Sequence, residues 1–345
     1  MDKDTRNRIQ RATQAARGLL EQDFDDQLAG VFDIRLDGTI AGEPGSHLDA
    51  AQRIVRTKLV AAVEHFRASG QGAAEAVASY RREAAFTTLN RFVALKMLEA
   101  RGLVQECISR GEQSSGFKEF RGLAPGLVQL PDRGYRLYIE SLFDELSVQI
   151  RVLFNRRDAS SLLWPKRATS EALLAGLNAP ELADVWRDDE TIGWIYQYYN
   201  DEAERKRMRE ESSAPRNSRE LAVRNQFFTP RYVVEFLTDN TLGRLWYEMT
   251  RGQTRLKEQC RYLVRRPTEI FLEPGASAPE VAVGSEAKAS DTLSQEELLR
   301  QPVHIPHRPL KDPREIRLLD PACGSMHFGL YAFDLYEGIY AEAWD

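Results

Sequence analysis

Residues 316–345 read IRLLDPACGSMHFGLYAFDLYEGIYAEAWD, and this stretch decides the fold class of the last part of the chain. A short apolar run ends at Asp320, five small residues follow (PACGS), and residues 326–344 carry apolar and aromatic side chains at helical spacing. A strand, a turn of small residues and a helix are typical of the start of a doubly wound α/β unit. We therefore predict a Rossmann-like start here.

The turn after this strand has the composition of a ligand site. Small side chains at Ala322, Gly324 and Ser325 allow a ligand to approach the backbone at the carboxyl end of the strand. Asp320 adds a fixed negative charge, which suits an ammonium group better than a pyrophosphate. The chain has neither G-x-G-x-x-G nor G-x-x-x-x-G-K-[ST] at this turn, so a dinucleotide or ATP site is disfavoured.

A second motif lies upstream, at residues 225–243 (NQFFTPRYVVEFLTDNTLG). Thr229 is a good helix N-cap and Pro230 suits the first helical position, so a helix is predicted to begin there. Phe227 and Phe228 before the cap are also typical of a hydrophobic staple, and a staple and a ligand contact are compatible.

Together these two motifs resemble a known family. Residues 318–335 (LLDPACGSMHFGLYAFDL) are similar to motif I, DPACGSG, of amino-methylating DNA methyltransferases, and QFFTPRYVVEFLTDNTLG is similar to the motif that precedes it in one class. With the helical front half and the phrase ETIGWIYQYYN at residues 190–200, the chain resembles the large adenine-specific methyltransferases of the BREX and DISARM phage-defence systems.

The resemblance implies a cofactor, S-adenosyl-L-methionine, and a substrate, the exocyclic amine of adenine in double-stranded DNA, which must leave the base stack to be reached. It implies that Thr229 and Pro230 contact the methionine part and that Phe228 packs beside them. An ordinary βα turn that merely allows tight packing is the alternative for residues 320–325. The residues that the resemblance assigns to the cofactor are Phe228, Thr229, Pro230, Asp320, Pro321, Ala322, Cys323, Gly324 and Ser325.

The sequence departs from the family pattern twice. Met326 replaces the final glycine of the DPACGSG motif, and the catalytic [ND]PP[YF] motif is absent, so no catalytic residue is assigned. We expect the chain to be the N-terminal portion of a larger enzyme, inactive alone, whose partners are DNA, other defence-system subunits and a C-terminal half with the missing motif. The alternative is a non-catalytic module that binds DNA or a partner in the same system; methylation of RNA or protein is a third, weaker option.

Composition limits the remaining classes. The chain has 345 residues, 42% of them hydrophobic, and a net charge of -5, so it can bury a core and is not uniformly basic. It shows no membrane span and no secretory signal, and its three cysteines form no CxxC pair, which favours a reducing cytoplasm over a disulfide framework. His304 and His307 have no further ligand nearby, so no metal site is predicted.

The domain prediction follows the changes in pattern. Residues 1–44 are expected to form a helix and a small hairpin at Asp37-Gly38. Aromatic residues around Trp194 favour a core cluster over a base-stacking platform, and the basic run at 205–209 favours a solvated helix end over DNA contact. The predicted division is residues 1–44, a helical domain at 45–203, a charged linker at 204–222 and a methyltransferase part at 223–345. The methyltransferase part contains the cofactor motif at 225–243, a surface insertion at 273–313 and motif I at 316–345. A short helix is expected within the insertion, near 294–300.

Overall fold

The computed structural model describes residues 1–130, 134–200, 202–216, 218–225, 227–277 and 294–344. This part of the chain is mostly helical, as predicted. It divides into two compact units, Met1–Phe228 (the helical unit) and Thr229–Asp345 (the second unit), and each has an apolar core. Within the described ranges, no helix has both the length and the apolar character that a membrane span requires. The finer domain boundaries stay a prediction.

The helical unit begins with a long helix whose start is fixed by Asp2, since the Asp2 carboxylate accepts a hydrogen bond from the Thr5 N–H at 2.7 Å. The second helix has a capping box between Asp49 and Gln52. The helices are α1 (Lys3–Gly30), α2 (Ala50–Ala68), α3 (Ala73–Ala100), α4 (Ser115–Leu123), α5 (Tyr135–Ser147), α6 (Arg151–Phe154), α7 (Arg167–Leu177), α8 (Glu190–Tyr199), α9 (Glu202–Glu211) and α10 (Ser218–Asn225).

Helix α3 is the centre of the helical unit. It packs against α1, α2 and α8, and it buries side chains on every face, as a helix surrounded by others must. Tyr80, Leu89 and Phe92 are each about 1% exposed. By contrast, α1 buries one stripe at helical spacing, which consists of Ile9, Thr13, Ala16, Leu20, Phe24 and Leu28.

The hairpin predicted at Asp37-Gly38 is present as a turn closed by one isolated bridge, without two full strands. Ile34 and Ile40 make an isolated antiparallel bridge, and the Arg35 N–H donates to the Thr39 oxygen at 2.8 Å. The predicted linker at 204–222 contains α9 and most of α10. Arg205 donates from Nε to the Val223 oxygen at 3.0 Å, which ties these two helices together.

The second unit is organised around two helices that follow the two sequence motifs. Helix α11 runs on through one π turn, Asp239–Gly243, into α12, and the last helix packs against α11. Glu342 fixes the end of the last helix by accepting hydrogen bonds from Trp246, Thr254 and Arg255. The elements are α11 (Arg231–Thr238), α12 (Arg244–Met249), α13 (Leu256–Gln259), β1 (Glu269–Phe271), α14 (Gln295–Arg300), β2 (Val303–Ile305) and α15 (His327–Trp344).

The predicted surface insertion at 273–313 contains the second strand of a small parallel sheet, Val303–Ile305, which the sequence pattern does not reveal. β1 and β2 pair in parallel, with Ile270 opposite His304. The short helix expected near 294–300 is confirmed as α14. Residues 278–293 of the insertion lie outside the described residues.

The strand predicted at residues 316–320 is wrong for this structure, and the Rossmann-like start is not confirmed. These residues have no regular secondary structure, and no described strand pairs with them. A strand requires a hydrogen-bonded neighbour, and an apolar pattern alone cannot supply one. Leu319 is 87% exposed, whereas the strands of a doubly wound sheet are buried on both faces.

Candidate functional site

The turn at residues 320–325 has one acidic side chain and a row of small exposed residues. The Asp320 Oδ1 atom accepts a hydrogen bond from the Ala322 N–H at 3.0 Å, which closes the turn. The other carboxylate oxygen, Oδ2, is buried and has no hydrogen-bond partner among the described residues. Residues 321–325 are all exposed, so the small side chains leave the backbone accessible. A buried, unsatisfied carboxylate oxygen is costly, and a cationic donor would satisfy it.

In the second sequence motif, the helix begins one residue later than predicted. Helix α11 begins at Arg231, and its N-cap is Pro230 instead of Thr229. Thr229 makes no side-chain cap; the first intrahelical acceptor is the Pro230 oxygen, which accepts from Val233 at 3.0 Å. The proline at N-cap leaves the helix amides without a side-chain acceptor in this first turn.

His327 joins the two motifs within the second unit. Its Nδ1 atom lies 3.0 Å from the Thr229 main-chain oxygen. A carbonyl can only accept, so Nδ1 carries the proton and donates. His327 is 4% exposed at the start of α15. His327, the first residue of α15, therefore anchors Thr229, two residues before α11, and the structure brings these two segments together.

A buried polar network lies behind this contact. The Tyr331 hydroxyl donates to Asp239 Oδ1 at 2.7 Å, and the Tyr262 N–H donates to Asp239 Oδ2 at 2.8 Å. Asp239 is fully buried in the π turn. Burial, followed by the nearby Asp239 charge, raises the pKa of the Cys260 thiol to about 12. Burial and the hydrogen bond to Asp239 also raise the pKa of Tyr331. Both groups are therefore neutral at pH 7, and they support the site without reacting in it.

Phe228 lies at the end of the helical unit, where its ring packs in that unit's core. The ring is 5.1 Å from Trp194, edge to face, and the Phe228 N–H donates to Gln197 at 2.7 Å. Gly193 makes this possible, since a Cβ there would lie 2.1 Å from the Phe228 ring. A contact of Phe228 with a cofactor remains a prediction.

Met326 has a left-handed backbone conformation, with φ at +61°. This conformation favours glycine because a Cβ crowds the following carbonyl oxygen. The position at which the family pattern has glycine is thus one whose backbone suits glycine. Gly324, two residues earlier, has φ at +49°. Sequence comparison identified the substitution, but its backbone strain is visible only in the structure.

The other residues singled out from sequence have structural roles in the described part of the chain. Trp194 and Tyr199 are 5% and 2% exposed, as the predicted core cluster requires, whereas Tyr196 of the same group is exposed. The solvated helix end predicted at 205–209 is wrong for Arg205, which is buried and lies over the Phe227 ring at 4.9 Å. Among the described residues, no three His, Cys, Asp or Glu side chains are close enough to hold a metal ion.

Sequence reasoning missed a cavity of about 900 Å³ in the helical unit. Phe92 and Trp164 line one part of it, and Arg136 stacks on the Trp164 ring at 5.1 Å. Its walls come from α5, α7 and the segment before α4, which are separated in sequence, so no local motif marks it.

Comparison with known proteins gives two similar curated sequences. Adenine-specific methyltransferase BrxX of Escherichia coli O9:H4 (strain HS) is 28% identical over 186 residues, which is 54% of this chain and 13% of that protein. Adenine-specific methyltransferase PglX of Lacticaseibacillus casei (strain Zhang) is 26% identical over 205 residues, which is 59% of this chain and 14% of that protein. No protein-family model matches the chain.

The chain is a homologue of adenine-specific methyltransferases. This confirms the resemblance that was predicted from the two ordered motifs. The aligned segment covers only a small fraction of each relative's length, while it covers more than half of this chain. Each aligned stretch is therefore much longer than the two motifs together.

Proposed function

We propose that the chain is part of an S-adenosyl-L-methionine-dependent DNA adenine-N6 methyltransferase of a BREX-type phage-defence system. In this role it helps to mark host DNA, and its second unit contributes to the methyl-donor site. The names of the two homologues support the methyltransferase class. The order of the motifs, Phe-Thr-Pro before Asp-Pro-Ala-Cys-Gly-Ser, supports the cofactor assignment.

The unsatisfied Oδ2 atom of Asp320 is the observation that carries the cofactor proposal. S-adenosyl-L-methionine, when bound, supplies a methyl group on its sulfonium and also carries an ammonium group. Asp320 fits that ammonium group, because its free carboxylate oxygen needs a cationic donor. The exposed small residues after it fit the close approach of a ligand to the backbone. Thr229 and Pro230 would contact the methionine part at the same site.

His327 has a positioning role in this proposal. It donates to the Thr229 oxygen, so it holds the start of α11 in a fixed place relative to the start of α15. Orientation of the methyl donor depends on such fixed walls. Because the chain has no [ND]PP[YF] motif, we expect the 345-residue chain alone to bind the methyl donor without transferring the methyl group.

Isothermal titration calorimetry of the full chain with S-adenosyl-L-methionine tests the proposal. Asp320→Asn keeps the shape of the side chain and removes its charge, and it should weaken binding by about 10-fold to 100-fold. Asp312→Asn is the matched control, because Asp312 pairs with Arg314 in the same unit and has no assigned contact to the cofactor. Equal affinities of the wild type and Asp320→Asn would contradict the assignment.

A non-catalytic module that binds DNA or a partner in the same system is the second candidate. The strained Met326 favours it, because the chain departs from the cofactor motif at a position whose backbone suits glycine. The two candidates differ in one measurement. If the chain binds DNA but shows no heat of binding in titrations with S-adenosyl-L-methionine or S-adenosylhomocysteine, it is a non-catalytic binding module.

A further inference from the structure

The second unit has a basic segment in a chain whose net charge is negative. Between residues 251 and 266 the cationic residues are Arg251, Arg255, Lys257, Arg261, Arg265 and Arg266, and the only acidic residue is Glu258. Arg251 is occupied by an ion pair with Glu273 at 2.6 Å. The segment from Cys260 to Arg266 carries three of these cationic residues and is here called the basic loop.

Three arginines of the basic loop point to solvent. Arg261, Arg265 and Arg266 are all exposed, and within the described ranges none of them has a carboxylate at ion-pair distance. Arg261 lies over the ring of Tyr262 at 5.2 Å. Most other arginines of the second unit are paired, as Arg244 is with Glu248 and Glu269. Exposed guanidinium groups without counter-charges are suited to phosphate oxygens.

The backbone of the basic loop is held rigidly. Cys260 and Leu263 anchor it in the apolar core of the second unit, at 5% and 9% exposure. Asn240 brackets it with both ends of its amide: Nδ2 donates to the Tyr262 oxygen at 2.8 Å, and Oδ1 accepts from the Val264 N–H at 2.8 Å.

Two further hydrogen bonds complete the support of the basic loop. Asp239 accepts from the Tyr262 N–H at 2.8 Å, and Arg244 donates to the Val264 oxygen at 2.9 Å. The loop is therefore preorganised, so the backbone need not be ordered when a ligand binds.

We propose that the basic loop contacts the phosphate backbone of double-stranded DNA through Arg261, Arg265 and Arg266. The inference rests on the proposed function for the choice of DNA as the polyanion. The contacts are independent of base sequence, because exposed guanidinium groups at a loop read phosphates. The π turn that supports the loop also receives Tyr331 from α15, so the DNA surface and the candidate methyl-donor site share one structural support.

Fluorescence anisotropy of a labelled DNA duplex, titrated with the full chain at several salt concentrations, tests the proposal. The triple variant R261Q/R265Q/R266Q should lower the affinity at least tenfold. It should also reduce the slope of log affinity against log salt by about 0.9 for each lost phosphate contact, which is about three in total. All three side chains are exposed, so the variant should fold normally, and circular dichroism checks this.

A charge-matched control comes from the helical unit. Arg11, Arg35 and Lys58 are exposed and have no carboxylate at ion-pair distance among the described residues. R11Q/R35Q/K58Q should leave both the affinity and the slope nearly unchanged. An equal loss in both triple variants would show a general charge effect and overturn the proposal. Stronger binding to anionic lipid vesicles or to RNA than to duplex DNA would also overturn it.

A second variant separates preorganisation from charge. Asn240→Ala removes the bracket but keeps all three arginines, so the affinity for DNA should fall severalfold while the salt slope stays the same. An unchanged affinity would contradict the role of the bracket. Binding of S-adenosyl-L-methionine is measured on the same samples. Loss of DNA binding with intact cofactor binding would be an effect on the basic loop alone. Absence of cofactor binding in the wild type would instead contradict the proposed function.

Discussion

The Nδ1 atom of His327 donates a hydrogen bond to the main-chain oxygen of Thr229 over 3.0 Å, although the two residues are 98 positions apart. Each residue belongs to one of the two motifs on which the predicted resemblance to adenine-specific methyltransferases rests. The bond is direct evidence that the second unit brings these motifs together. It also explains why a buried histidine follows the exposed turn.

Removal of this bond should destabilise the second unit. His327→Ala deletes the donor and leaves a cavity, so the free energy of unfolding should fall by about 2–3 kcal/mol. His327→Asn is the matched variant, because its amide nitrogen can occupy the place of Nδ1 and keep the bond. Chemical denaturation of both variants measures the difference, and equal stabilities would show that the bond contributes nothing.

The ring of Phe228 should leave room only for glycine at position 193. Both Gly193 and Gly176 lie within helices, but a Cβ at Gly193 would be 2.1 Å from the ring, whereas one at Gly176 would have no neighbour within 4 Å. Gly193→Ala should therefore destabilise the helical unit by about 1–3 kcal/mol. Gly176→Ala should stabilise it by about 0.5–1 kcal/mol, because alanine is the better helix former. Thermal melts that move in the same direction for both would contradict this account.

At position 326, glycine should give a more stable protein than alanine. Both substitutions remove the methionine side chain, but only glycine removes the Cβ that is strained at φ +61°. We expect Met326→Gly to exceed Met326→Ala in stability by about 1 kcal/mol. Denaturant midpoints of the two variants measure this difference. A Met326→Ala variant as stable as Met326→Gly, or more stable, would contradict the left-handed conformation at this position.

Cys260 should make the protein less stable in alkali. Its folded-state pKa is about 12, against an ordinary value of 9.0, so the folded state holds the thiol proton more tightly than the unfolded state. The stabilisation is complete below about pH 9 and is lost as the pH rises toward the folded value. The loss from this group amounts to at most about 1.4 kcal/mol per pH unit.

Cys260→Ala provides the control for that prediction. Urea denaturation at several pH values above 9 should give a shallower decline of unfolding free energy in the variant than in the wild type. Parallel declines would mean that other groups are responsible. Cys323 is exposed, so it should react with a thiol reagent in the native protein while Cys260 stays protected.

Local sequence patterns predicted the parts of this fold that depend on local chemistry. The helix at the start of the chain, the turn at Asp37-Gly38 and the short helix near 294–300 follow from spacing and turn residues. The start of α11 was predicted one residue too early, because both Thr229 and Pro230 are acceptable at a helix start.

The parts that depend on distant partners were not predictable in this way. Residues 316–320 have the composition of a strand, but strand formation requires a neighbour that composition cannot specify. The same limit applies to the site. Asp320 was found from its motif, whereas the bond from His327 to Thr229 and the bracket made by Asn240 depend on packing between elements far apart in sequence.

The π turn at Asp239–Gly243 has a consequence for how this region tolerates insertions and deletions. A π turn holds one residue more than an α-helical turn, so loss of one residue there would restore ordinary α-helical pairing and leave α11 and α12 nearly in phase. Val234, now fully buried, would keep facing the apolar interior, whereas Asp239 and Asn240 lie in the shortened turn and would be displaced from their partners. A single-codon deletion in this turn would therefore act on the polar contacts of Asp239 and Asn240 and spare the apolar face of α11.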